Sequence, residues 1–117
     1  MAAPVLETQQ ISVEDFKKLA LRLGTIMSAD LHPNAERLLV LKVDIGEPSP
    51  RQLVAGVRAS YPDPAQLVGR QVVVVANLKP AMLRGVESQG MVLAASDDTA
   101  IALLSPDRSI KPGSTVK

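Results

Sequence analysis

Apolar and polar positions follow two rhythms along the chain. Val13, Phe16 and Leu19 recur at helical spacing. Ser12 followed by Asp15 forms a Ser-x-x-Asp capping signature, so a short helix is expected from about Val13 to Leu19. Beyond it the rhythm becomes that of strands. Within LLVLKVDIG, Leu39, Leu41, Val43 and Ile45 alternate with Val40, Lys42 and Asp44, the period of a half-buried strand. QVVVVANL is apolar on both faces and predicts a deeply buried strand. LRLGTIMSADL reads as extended, and Gly24 inside it signals a bulge, a bend or a close backbone approach. RQLVAGV, GMVLAA and the shorter AIALL complete the strand candidates.

Turn chemistry separates these runs. Pro33-Asn34, the two prolines of GEPSP, the polar SDDT and Pro112-Gly113 all break strands. SYPDPAQLVGR predicts a loop with one helical turn over 65–68, closed by Gly69. About six short strands and one helix predict a small all-β barrel or sandwich. Five of the strands, 21–30, 38–45, 51–57, 71–77 and 90–95, fit a closed five-stranded barrel with a helical turn between the third and fourth. That layout suggests an oligonucleotide/oligosaccharide-binding (OB) fold. The expected organisation is a flexible leader over 1–11 and one domain over 12–117. The domain is an OB-fold barrel with a short N-terminal helix and a C-terminal strand-containing extension.

Composition narrows the function. The 117 residues suit a single domain with one compact core. No apolar run approaches the ~20 residues that cross a bilayer, and no signal segment is recognisable, so a cytoplasmic setting without membrane is expected. The absence of cysteine excludes disulfides and thiolate metal sites. Net charge is only +1, yet residues 51–91 carry five basic residues (Arg51, Arg58, Arg70, Lys79 and Arg84) against Asp63 and Glu87. Phe16 and Tyr61 are the only aromatic residues. A surface that stacks successive bases on rings is thereby nearly ruled out. Phe16 is expected to anchor the helix and Tyr61 to pin its loop onto the barrel.

Catalytic chemistry has little to stand on. His32 is the sole histidine and sits in a turn before Pro33. Asp97-Asp98 lies in a turn with no partner ligand nearby, and no glycine-rich phosphate loop follows a strand. No catalytic residue, metal site or cofactor is expected.

The segment 76–90, ANLKPAMLRGVESQG, has two readings. It is either a solvated loop between buried strands or a surface for a polyanion. For the second, Asn77 offers both hydrogen-bond roles, Lys79 a mobile point charge and Arg84 a rigid fork suited to phosphate. Ser88 and Gln89 add neutral groups for sugar or base edges, and Gly85 and Gly90 permit unusual dihedrals. Lys42, Arg22 and Arg37 are either solvated charges or phosphate contacts on the same surface. Met91, at a strand start, reads as core on position alone. AIALL supplies an extra apolar strand, which must cover an open edge or meet another chain.

LGTIMSADLHPNAERLLVLKVDIG and the run from RQLVAG to GMVLAA closely resemble the tRNA-binding domain family. HPNAERL, NLKP and LRGVESQGM are specific in combination, and the resemblance covers roughly residues 12–117. The family includes the C-terminal domain of many bacterial methionyl-tRNA synthetases and a freestanding structure-specific tRNA-binding protein. The ending LLSPDRSIKPGSTVK looks most like the synthetase branch. The resemblance implies an OB fold that grips the outer corner of tRNA, by shape more than by sequence. It implies tRNA contacts at Ser88 and Met91, and at Asn77, Lys79, Arg84 and Gln89. It implies a homodimer, with the terminal segments near the interface. It further implies assistance to a methionyl-tRNA synthetase in cis or in trans. The alternative is a freestanding chaperone-like or dimerisation protein of the same fold.

Overall fold

The computed structural model describes residues 9–117, so most of the leader expected over 1–11 lies outside the described residues. Helix α1 (Val13–Phe16) starts where the capping signature places it, with the Ser12 hydroxyl accepting from the Asp15 amide at 3.1 Å. It is shorter than its spacing predicts. Lys17 is the C-cap, and the Lys18 and Leu19 amides bond three residues back, to Asp15 and Phe16. No residue of the helix is buried, and so short a helix lacks the packing that would extend it. Phe16 is 39% exposed, so it does not anchor the helix in this chain's core.

Among the described residues nine strands follow: β1 (Leu21–Leu31), β2 (Leu39–Asp44), β3 (Arg51–Ala55), β4 (Gln71–Val75), β5 (Ala81–Leu83), β6 (Val86–Ser88), β7 (Met91–Val92), β8 (Ala94–Ser96) and β9 (Ile101–Leu103). Five form one antiparallel sheet in the order β3-β2-β1-β4-β7. The sheet curls until β7 lies beside β3, giving a nearly closed barrel of the OB type. Two 3-10 turns, Arg58–Ser60 and Pro64–Leu67, occupy the β3–β4 connection, and Leu67 enters the core.

The period-two pattern of β2 is realised. Leu39, Leu41 and Val43 are fully buried with Ile26, Leu53, Val72 and Val74, while Lys42 faces out. Gly24 marks a close approach: a β-carbon there would stand 2.4 Å from Val43 Cγ1. The bulge in β1 falls further on, between Ile26 and Ser28. Tyr61 holds its loop as expected, its hydroxyl accepting from the Leu103 amide at 3.0 Å.

Two strand expectations change. The run 90–95 divides at Leu93 into β7 and β8, which belong to different sheets. The Leu93 amide still bonds Val73 of the barrel, whereas its carbonyl accepts from Leu104, so the chain leaves the barrel there. β8 and β9 form a separate hairpin around the SDDT turn. The covering of an open edge falls to the C-terminal segment instead. Ser114 and Val116 bond the backbone of Leu23 and Leu21, on the edge of β1 that β2 leaves free.

Candidate nucleic-acid interface

The segment 76–90 is not a plain loop. Residues 81–88 fold into the β5–β6 hairpin, with Leu83 opposite Val86 and Arg84-Gly85 as its two-residue turn. Both turn residues have positive φ, 53° at Arg84 and 89° at Gly85, the pattern of a type I′ turn. Glycine tolerates this backbone freely, whereas arginine in the left-handed region costs about 1–2 kcal/mol. Arg84 is the sole non-glycine residue with positive φ among the described residues. Such strain persists where surrounding structure imposes it.

Here the two-residue turn imposes it, and four attachments hold the segment that carries the turn. Asn77 spends both ends of its amide on the N-terminal segment, accepting from the Ala20 amide at 2.9 Å and donating to the Lys18 carbonyl at 2.6 Å. Arg51 clamps the base of the segment. Its Nη1 donates to the carbonyls of Ala76 at 2.5 Å and Gln89 at 3.1 Å. Its Nε and Nη2 grip the Glu47 carboxylate at 2.8 and 2.9 Å. The guanidinium thereby holds the Glu47 carboxyl below its usual range, and Glu47 raises Arg51 in turn. At the tip, His32 Nε2 donates to the Leu83 carbonyl at 2.8 Å.

The fourth attachment closes the barrel. β3 has no backbone ladder to β7. Its outward amides are met by side chains of the segment instead: Val54 donates to Ser88 Oγ at 2.9 Å and Gln52 to Gln89 Oε1 at 3.1 Å. The Gln89 amide returns a bond to the Gln52 carbonyl at 2.8 Å. Ser88 is 3% exposed, and its hydroxyl also donates to the Gly90 carbonyl. In this chain the Ser88 hydroxyl is thus spent on the backbone of Val54 and Gly90.

The other candidates are distributed. Lys79 and Arg84 are exposed on the segment. Arg84 Nη2 reaches only the Asn34 carbonyl, at 3.3 Å. Arg37 joins Arg84, Asn34 and Glu36 around a shallow concavity of about 510 Å3. Lys42 projects beside the hairpin, donating to Gln52 Oε1 at 2.7 Å, while Gln52 Nε2 donates to the Glu87 carbonyl. Arg22 and Asn77 instead line a groove of about 530 Å3 with Val13, Phe16, Leu19 and Val116. Met91 is partly exposed in a third groove beside Val54 and Val57. The structure thus groups Arg37 with Arg84, places Lys42 against the same hairpin, and separates Arg22 and Met91 from them.

Sequence reading missed Arg51, Gln52 and His32 as supports. Arg51 entered only as part of a charge count. Apolar residues flanking an X-Gly pair in LRGV were the available sign of the hairpin.

A partly open barrel of this type, with a hairpin pinned across its seam, defines the OB class of small binding modules, oligonucleotide binders among them. The sequence model of the putative tRNA-binding domain matches residues 21–115, and the chain belongs to that family. It is 51% identical over 109 residues to a methionine–tRNA ligase of Pyrococcus furiosus, and 53% identical over 115 residues to that of Methanosarcina acetivorans. These alignments cover 93% and 97% of the chain but only 15% and 16% of the ligases. Among solved structures, a MetRS-related protein from Pyrococcus horikoshii superposes with a TM-score of 0.85 at 31% identity. It covers 94% of this chain and all of that one. The chaperone CsaA of Bacillus anthracis superposes at 0.83 and 30% identity, over 93% of this chain and all of its own.

Proposed function

We propose that the chain binds tRNA non-catalytically, by its folded shape, and assists a methionyl-tRNA synthetase as its C-terminal domain or as a separate subunit. The observation that carries this reading is the exposed Lys79 and Arg84 on a segment that Arg51, Asn77, Ser88 and Gln89 hold still. A pre-organised cationic edge loses little entropy on meeting a phosphate backbone. Folded RNA is met through phosphates, 2′-hydroxyls and shape, which needs no aromatic platform. Lys42 and Arg37 extend the edge around the hairpin. The length relation to the ligases supports an auxiliary role beside a much larger catalytic body. A cytoplasmic setting follows from that partner.

Titration with bulk tRNA at several salt concentrations tests the reading. Lys79→Ala and Arg84→Ala should each weaken binding about equally across tRNA species and flatten the salt dependence by roughly one unit. Unchanged binding in both variants removes this segment from the site.

A second reading, a chaperone-like or dimerisation protein, draws on the full-length match to CsaA. It also draws on the exposed apolar residues Val13, Phe16 and Leu19. A folded chain without salt-sensitive tRNA binding would favour it. The same apolar face supports a homodimer under either reading, because Val116 of the C-terminal segment lines the groove with α1.

A further inference from the structure

We infer that buried His32 is a positioning residue: it tethers the β5–β6 tip so that Arg84 presents its guanidinium to an RNA phosphate. The inference rests on the tRNA-binding reading and adds a device to it. His32 is 3% exposed and lies just past the end of β1, far in sequence from the hairpin. Its ring has two partners. Nδ1 accepts from the Asn34 amide at 2.9 Å, and Nε2 meets the Leu83 carbonyl at 2.8 Å. A backbone amide can only donate and a carbonyl can only accept, so one neutral tautomer, with the proton on Nε2, satisfies both. The ring therefore acts as a rigid spacer between the 32–38 turn and the residue that precedes Arg84.

The spacer sits where a support is needed. Arg84 occupies the first position of a type I′ turn, which favours asparagine, aspartate or glycine. A hairpin of two three-residue strands holds such a conformation poorly by itself. The Leu83 tether, with Arg84 Nη2 donating back to the Asn34 carbonyl, fixes the tip from outside. Arg37, from the same turn, faces the same concavity as Arg84. Moving the tip would separate two cations that now share one hollow.

His32→Asn isolates the tether. Asparagine can keep the bond to the amide two residues on, in the manner of an Asx-turn, but is too short to reach Leu83. In tRNA titrations across salt concentrations, His32→Asn and Arg84→Ala should each lower the salt slope by about 0.7–0.9. The double variant should bind no more weakly than either single variant. An effect of His32→Asn that adds to that of Arg84→Ala, or leaves the slope intact, overturns the inference. So does an Arg84→Ala variant that binds as the parent does, although the tRNA reading would then survive on other residues. A parent chain that binds no tRNA ends both. In the unmodified protein, nitrogen NMR of the ring should show the Nε2–H tautomer, and a proton on Nδ1 would overturn the tether whether or not the variants fold.

Discussion

At the scale of single residues, hydrogen bonds separate side chains with internal partners from side chains left to solvent. Asn77, Ser88 and Gln89 are polar groups in a basic segment, the kind of residue that suits RNA. Their side-chain atoms are nevertheless committed to backbone partners inside the molecule, apart from the Gln89 amide nitrogen, which reaches Glu87 at 3.3 Å. Ser88→Ala leaves the buried Val54 amide without an acceptor, which costs about 1–3 kcal/mol. Urea unfolding should register that loss. A variant as stable as the parent would mean that another group fills the vacancy. Lys79 presents the opposite case: exposed just after the 76–78 turn, its charge is available to solvent.

At the scale of elements, the 76–90 segment behaves as a braced hairpin, and the Arg51–Glu47 pair is its lower brace. The folded Glu47 carboxyl titrates below its ordinary value of 4.5 because Arg51 donates to it. The pairing therefore stabilises the fold in full above that value, and the contribution fades as pH falls through the lower, folded one. With Glu47 substantially solvated, the contribution is roughly 0.2–1 kcal/mol. Glu47→Gln should flatten the acid limb of the stability curve by that small amount. An identical acid limb in parent and variant would contradict the brace. Arg51→Met should do more, because it also frees the Ala76 and Gln89 carbonyls. Limited proteolysis within 76–90 would show the segment loosened.

Elements also mark how far sequence alone reaches. The alternation in β2, the all-apolar β4 and the Ser12 cap were legible because each is a local pattern with one physical meaning. The hairpin was not, since three-residue strands are too short to carry a period. The roles of Arg51 and His32 were hidden for another reason. Each joins segments tens of residues apart, and nothing near either residue announces its partner. The resemblance singled out the segment 76–90 as a whole. It could not separate residues that face a ligand from residues that hold those in place.

At the scale of the whole molecule, the described surface carries two unlike faces. One is the hairpin that carries Arg84, with Lys42 and Arg37 beside it. The other is the apolar groove of α1 and the C-terminal segment, where Phe16, Leu19 and Val116 meet lysines and Arg22. A symmetric dimer through the apolar face would cover it and set two hairpins on one assembly. Phe16→Asp places a charge in that contact and should yield a monomer by sedimentation at tens of micromolar. A parent chain already monomeric there would dispose of the dimer. The monomeric variant should retain single-site tRNA contact while losing the gain that comes from two linked surfaces.

The seam between β3 and β7 has a practical corollary for protein engineering. Because side chains of the segment 76–90 take the place of a backbone ladder, that segment is a clasp on the barrel. Replacing 76–90 with a short glycine-serine link would not yield an intact barrel that merely ignores RNA. It would leave the Gln52 and Val54 amides open to solvent exchange. On the proposed tRNA-binding reading those two amides should report ligand arrival in the native protein, slowing in exchange as the ligand holds the clasp shut.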